Sequence, residues 1–188
     1  MMTMKIIILL ILLLAPIPMA IACPGVPSLG SAAACLKACG TKYAYDLCIN
    51  TMQRSGMDPC PSHTVVATVY AVVAARVAEA SYEDTMLALN TQLQQNGSLS
   101  GDERDAYRGC LGDYTAAESS IERAAERMAS SCDLGGLGNE FRGGMMSLEG
   151  CRDRLLSPWI YPSPMYPLVM GNRDKVLVAY LLAKLLGI

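Results

Sequence analysis

Histidine is almost missing from this chain: His63 is the only one in 188 residues. A Ser–His–Asp relay needs an imidazole beside a nucleophile, and a zinc site needs clustered His and Cys at ligand spacing. Cys35-x-x-x-Cys39 alone is a poor metal signature. A Cys60–His63 nucleophile pair would need a free thiol, which an oxidising compartment disfavours. The G-x-S-x-G elbow, the phosphate loop and the dinucleotide fingerprint are also absent. Positive charge is in short supply, with 15 basic against 17 acidic residues and a net charge of −2. That is no footprint for nucleic acid. Charge runs and low-complexity tracts are lacking, and no stretch alternates like a half-buried strand between hairpin turns. The apolar run Ile6–Ala15 falls short of the roughly 20 residues that span a bilayer.

That run follows Lys5 and leads through Pro16 and Pro18 to Ala20-Ile21-Ala22. A basic start, an apolar middle and a small-x-small end read as an export signal over residues 1–22, with Cys23 first in the mature chain. The C-terminal run Val176–Ile188 contains Lys184 and is shorter still, so it reads as a core helix and not an anchor. No membrane association is expected after cleavage. All eight cysteines (Cys23, Cys35, Cys39, Cys48, Cys60, Cys110, Cys132 and Cys151) fall in the mature part. An even count behind an export signal favours disulfides over metal or redox chemistry. Asn96-Gly97-Ser98 is a glycosylation sequon on the same route.

Helical periodicity dominates the rest. Ser28–Cys39 and Tyr43–Arg54 read as two short helices, the first stopped at Gly40. A long helix is expected from near Ser62 or Thr64 to before Gly97, with Val66, Val69, Val73, Val77 and Ala80 as its stripe, a phase slip near Tyr82–Thr85, and Met86, Leu89 and Leu93 resuming the stripe beyond it. From Asp102, the positions Tyr107, Cys110, Tyr114, Ala117, Ile121, Ala124 and Met128 alternate spacings of three and four, a coiled-coil-like seam. Glu103, Asp105, Glu118, Glu122 and Glu126 are helix-spaced and read as a solvated face partnered by Arg123 and Arg127. A third long helix covers Leu137–Leu155, with Leu137, Phe141, Met145, Leu148, Cys151 and Leu155 inward. Pro158, Pro162, Pro164 and Pro167 then predict a loop, and Asn172 is expected to cap the last helix. Val176, Leu177, Tyr180, Leu181, Lys184 and Leu185 complete that helix. The fold class is all-α: a helical hairpin over 23–61, then an up-down-up-down four-helix bundle over 62–188. Cys110 and Cys151 lie on the apolar faces of two of its helices, where a disulfide would staple them.

Eight cysteines in a helical chain raise the lipid-transfer and seed-storage proteins, but those need adjacent Cys-Cys and Cys-x-Cys steps that do not occur here. Five matched segments carry another resemblance. They are Ala34-Cys35-Leu36-Lys37-Ala38 with Tyr45-Asp46-Leu47-Cys48, then Asp58-Pro59-Cys60-Pro61-Ser62-His63, then Ala106–Tyr114, then Met145–Cys151, then Asn172–Gly187. In this order the chain resembles the plant invertase and pectin methylesterase inhibitor family across nearly its whole mature length. The resemblance implies disulfides Cys35–Cys48 and Cys110–Cys151, with Cys39 as the alternative partner of Cys48. It leaves the pairing of Cys23, Cys60 and Cys132 open. It also implies a secreted, cell-wall, non-catalytic inhibitor without cofactor or metal, binding its enzyme 1:1.

Some invertase inhibitors of the family carry Pro-Lys-Phe before the third bundle helix, where this chain has Leu134-Gly135-Gly136. Pectin methylesterase is therefore the expected target and acid invertase the alternative. A non-inhibitory apoplastic or allergen-like protein is a third reading, since a bundle can be kept while its contact face drifts. Trp159, Tyr161 and Tyr166 stand among the prolines, either as a lid on the bundle end or as partner anchors.

Overall fold

The computed structural model describes residues 23, 25–57, 64–95, 97–156 and 163–188, and among these no helix is long and apolar enough to cross a membrane. Six α-helices follow one another: α1 (Ser31–Ala38), α2 (Lys42–Arg54), α3 (Ala67–Gln95), α4 (Gly101–Ser130), α5 (Leu137–Leu156) and α6 (Tyr166–Ala183). A 3-10 turn, Lys184–Leu186, closes the chain. The first two helices form the hairpin and the last four the bundle. In the bundle α4 packs on α3 and α5, and α6 on α3 and α5.

Helix α4 forms as its seam dictates. Tyr107, Cys110, Tyr114, Ala117, Ile121, Ala124 and Met128 are all buried. Its start is fixed by a reciprocal capping box: Ser100 Oγ accepts from the Glu103 amide at 3.3 Å, and the Glu103 carboxylate accepts from the Ser100 amide. Helix α5 buries Leu137, Phe141, Leu148, Cys151 and Leu155 as expected, but Gly144 takes the inward place between them, with Met145 only half-buried. A Cβ on Gly144 would stand 2.7 Å from Ile121 Cδ1, so the missing side chain is what lets α5 approach α4.

Helix α3 corrects the sequence reading. Its inward face is Ala67, Ala71, Ala74, Ala78, Tyr82, Thr85 and Leu89, spaced by threes and fours from end to end with no slip of phase. Val69, Val73 and Val77 are half-buried on the flank and Ala80 is exposed. Small residues face the core because they let the neighbouring helix approach, leaving room for Tyr82 and Tyr114 to meet edge-on with ring centroids 5.5 Å apart. The helix also starts later than expected, at Ala67. Val65–Val66 first pairs antiparallel with Ser28–Leu29, a two-residue ladder that the sequence showed no sign of.

The last helix is the second correction. It begins at Tyr166, so Asn172 lies in its interior, buried, and is not its cap. The run of prolines predicts a loop through Pro167, yet Pro167 sits in the first helical turn, where the amide it lacks has no intrahelical acceptor. Val176, Val178, Ala179, Leu182 and Ala183 fill the core, Leu177, Tyr180 and Leu181 are half-buried, and Lys184 is exposed.

Candidate functional site

Sulfur chemistry is spent on structure. Cys35 joins Cys48 between α1 and α2, Cys110 joins Cys151 between α4 and α5, and Cys23 joins Cys132 across 109 residues. The last bridge ties the start of the described chain to the α4–α5 turn, where Cys132 adopts a left-handed φ of 50°. Cys39 carries a free, half-buried thiol whose pKa burial pushes up, so it has little thiolate character as a nucleophile. Cys60, His63, Asn96, Trp159, Tyr161 and the leader lie outside the described residues. Tyr166 opens α6, half-buried.

Among the described residues no group of three or more His, Cys, Asp or Glu is placed to hold a metal ion. The expected carboxylates have separate duties. Glu103 completes the α4 cap, and Asp105 pairs with Arg108 at 3.3 Å. Arg123 and Arg127 do not serve Glu118, Glu122 and Glu126, as the helix spacing had implied. Arg123 reaches across to Glu140 on α5 at 2.9 Å. Arg127 binds Asp133 at 2.8 Å and the Gly135 carbonyl, bracing the turn that contains Leu134-Gly135-Gly136. The Arg127 guanidinium holds the Asp133 carboxyl below the usual range.

The polar centre of the bundle is Asn172. Its amide nitrogen faces Thr85 Oγ1 at 2.7 Å, the Tyr114 hydroxyl at 2.9 Å and the Ser81 carbonyl at 3.3 Å. Burial pushes the Tyr114 hydroxyl up to about 12, so it stays protonated and structural. Nothing in the sequence marked this network except Asn172 itself, whose type also suits a cap.

Concavity is concentrated on the outer face of α3. A cleft of about 230 Å³ opens between α2, α3 and α6, lined by Arg54, Val77, Asp174 and Lys175. It runs into an apolar groove of about 380 Å³ over Val72, Val73, Val77 and Ala80, with Arg54 and Arg76 on its edges. Beyond Arg76 lies a third hollow of about 310 Å³ between α3 and α4, walled by Glu79, Glu83, Glu118 and Glu122. Arg76 neutralises Glu79 at 2.7 Å. No cation pairs with Glu83, Glu118 or Glu122 among the described residues. Partial burial, then Glu79, Glu83 and Glu122, push the Glu118 carboxyl up. The folded state thus holds this proton more tightly than the unfolded chain. Its contribution to stability is full in acid and is lost as pH rises from the ordinary glutamate range through the raised folded value. Glu118→Gln is expected to raise the melting temperature at pH 7 and leave it nearly unchanged at pH 4. Equal gains at both pH values in calorimetry would contradict this.

No family model and no curated protein matches the chain. Solved structures do. A mutant form of a pectin methylesterase inhibitor from Arabidopsis superposes with a TM-score of 0.63 at 17% identity, over 80% of this chain and 92% of that one. The fold is that of the pectin methylesterase inhibitors. A second such inhibitor from Arabidopsis thaliana gives a TM-score of 0.57 at 16% identity, over 74% and 87% of the two chains. Coverage this complete means that hairpin and bundle match as one pectin methylesterase inhibitor fold rather than through a shared helical pair.

Proposed function

We propose that the protein is a secreted, non-catalytic inhibitor that seats 1:1 on a pectin methylesterase and closes its cleft. The observation that carries this reading is the match to pectin methylesterase inhibitors over nearly their whole length. Two further features support it. Three disulfides suit an oxidising, extracellular compartment, in line with a leader over residues 1–22 and a glycan on Asn96. They also stiffen hairpin and bundle before any encounter, so little ordering is needed to bind. The choice of esterase over invertase rests on Leu134-Gly135-Gly136 standing where some invertase inhibitors carry Pro-Lys-Phe.

Both targets are tested side by side. Equimolar protein is expected to slow methanol release from methylated pectin by pectin methylesterase, and to leave sucrose hydrolysis by acid invertase unchanged. Slowed sucrose hydrolysis with unaffected methanol release would reassign the target. Failure to affect either enzyme, with no esterase or invertase retained from a cell-wall extract, would mark a non-inhibitory protein of the same fold.

A further inference from the structure

The hairpin does not close fully on the bundle. Where α2 meets α3 and α6 it leaves the cleft of about 230 Å³, far wider than the voids that close packing leaves between helices. The cleft has an apolar floor of Leu47, Val77 and the buried Val178, one residue from each of the three helices. A concave apolar floor ringed by a few polar groups is the ordinary form of a small-molecule site. The gap has room for roughly eight waters, or for a ligand of roughly ten heavy atoms.

The walls carry charge of both signs, and across the cleft the two signs do not meet. Arg54 on α2 is exposed and makes no ion pair among the described residues. Asp174 on α6 lines the same cleft but is held from behind, by the Tyr43 hydroxyl on Oδ2 and by Arg173 at 3.8 Å from Oδ1. A carboxylate has about four acceptor sites, so Asp174 keeps capacity for a further donor. Beside it Lys175 is half-buried and donates to Asn172 Oδ1 at 3.3 Å. Burial and the nearby Arg54 push the Lys175 ammonium down, while Asp84, about two turns beyond Val77 on α3, pulls it up. Arg54 and Lys175 are thus balanced by Asp174 and Asp84. A rim without net charge selects neither an anion nor a cation. It suits a molecule that carries both charges and an apolar body.

We infer that this cleft binds a free α-amino acid with an apolar side chain. Its carboxylate meets Arg54, its ammonium meets Asp174, and its side chain lies on Leu47, Val77 and Val178. The ligand supplies the ion pairs that Arg54 and Asp174 do not make with each other, and it bridges hairpin and bundle. No enzyme partner is needed to fill the site.

A chemical-shift titration of the full chain with L-leucine reads both affinity and place. The amides of residues 47–54 and 171–178 are expected to shift together and to saturate with a Kd of about 0.1 to 5 mM. Isocaproate, which lacks the ammonium, and isoamylamine, which lacks the carboxylate, are expected to bind on the order of tenfold more weakly. Arg54→Gln, at an exposed position, weakens leucine binding by a similar factor. Val77→Trp fills the floor and abolishes it. Circular dichroism confirms that each variant remains folded. Absence of saturation up to about 50 mM leucine overturns the inference. Equal binding of the two analogues overturns it as well, since the cleft would then be an apolar hole without a charge requirement. Leucine binding that is indifferent to both substitutions places the ligand elsewhere and overturns it equally.

Discussion

Replacing Cys110 and Cys151 together by alanine is expected to destabilise the fold by about 4 kcal/mol. The bridge closes a loop of 41 residues, and a chain-entropy treatment converts that closure into this figure. Both cysteines are fully buried between α4 and α5, the most extensively packed helix pair. Alanine is the right replacement, because serine would add two buried hydroxyls in search of partners. A single-domain chain of this size has about 5–15 kcal/mol of stability in total, so the loss is a large share of it. Urea unfolding under non-reducing conditions measures it, and the melting temperature is expected to fall by about 10 °C. A change below about 1 kcal/mol would show that α4 and α5 hold their register by packing alone.

Asn172→Leu is the second large effect, expected at about 3 kcal/mol. The asparagine amide is buried and bridges α6 to Thr85 on α3 and Tyr114 on α4. Leucine fills a similar volume but leaves the Tyr114 hydroxyl without this donor in a site where Tyr114 is wholly buried. Adding Tyr114→Phe removes one of the stranded groups. The double variant N172L/Y114F is therefore expected to be more stable than Asn172→Leu alone, although it carries one more change. If the second substitution instead deepens the loss, Tyr114 is held by packing rather than by this hydrogen bond. The neighbouring Tyr82 hydroxyl has no partner among the described residues, so the centre of the bundle already carries one unmet polar group.

How far the fold could be read from the residues depended on what each helix buries. Helix α4 was legible in full because its seam consists of large residues that stand out from a charged background. In α3 the rule that apolar periodicity marks the core pointed to the wrong side. Valine is more apolar than alanine, so the Val73–Val77 line outweighed the Ala71–Ala74–Ala78 line, although close helix approach rewards the smaller side chains. In α6 two residues with more than one meaning, Pro167 and Asn172, were each assigned the local role. The tertiary one prevailed, since a buried amide with three neighbours outweighs the modest propensity penalty of asparagine inside a helix. The Cys110 and Cys151 positions followed from helix faces. The Cys23–Cys132 bridge had no local sign, because it depends on where a long path through four helices returns. The valine stripe was legible in the residues, and only the three-dimensional arrangement shows that Val69, Val73 and Val77 lie half-buried on the flank of α3.

Cross-linking also governs what a peptidase can accomplish. One nick at any point from residue 24 to residue 131 lies inside the Cys23–Cys132 circuit, and one between 132 and 150 lies inside the Cys110–Cys151 circuit. In either case both pieces travel on as a single covalent molecule. Past Cys23, only a cut beyond residue 151 can shed a fragment, and a cut between Cys151 and the start of α6 sheds one that carries Asn172. A digest before and after thiol treatment would thus tell very different stories about the same damaged protein.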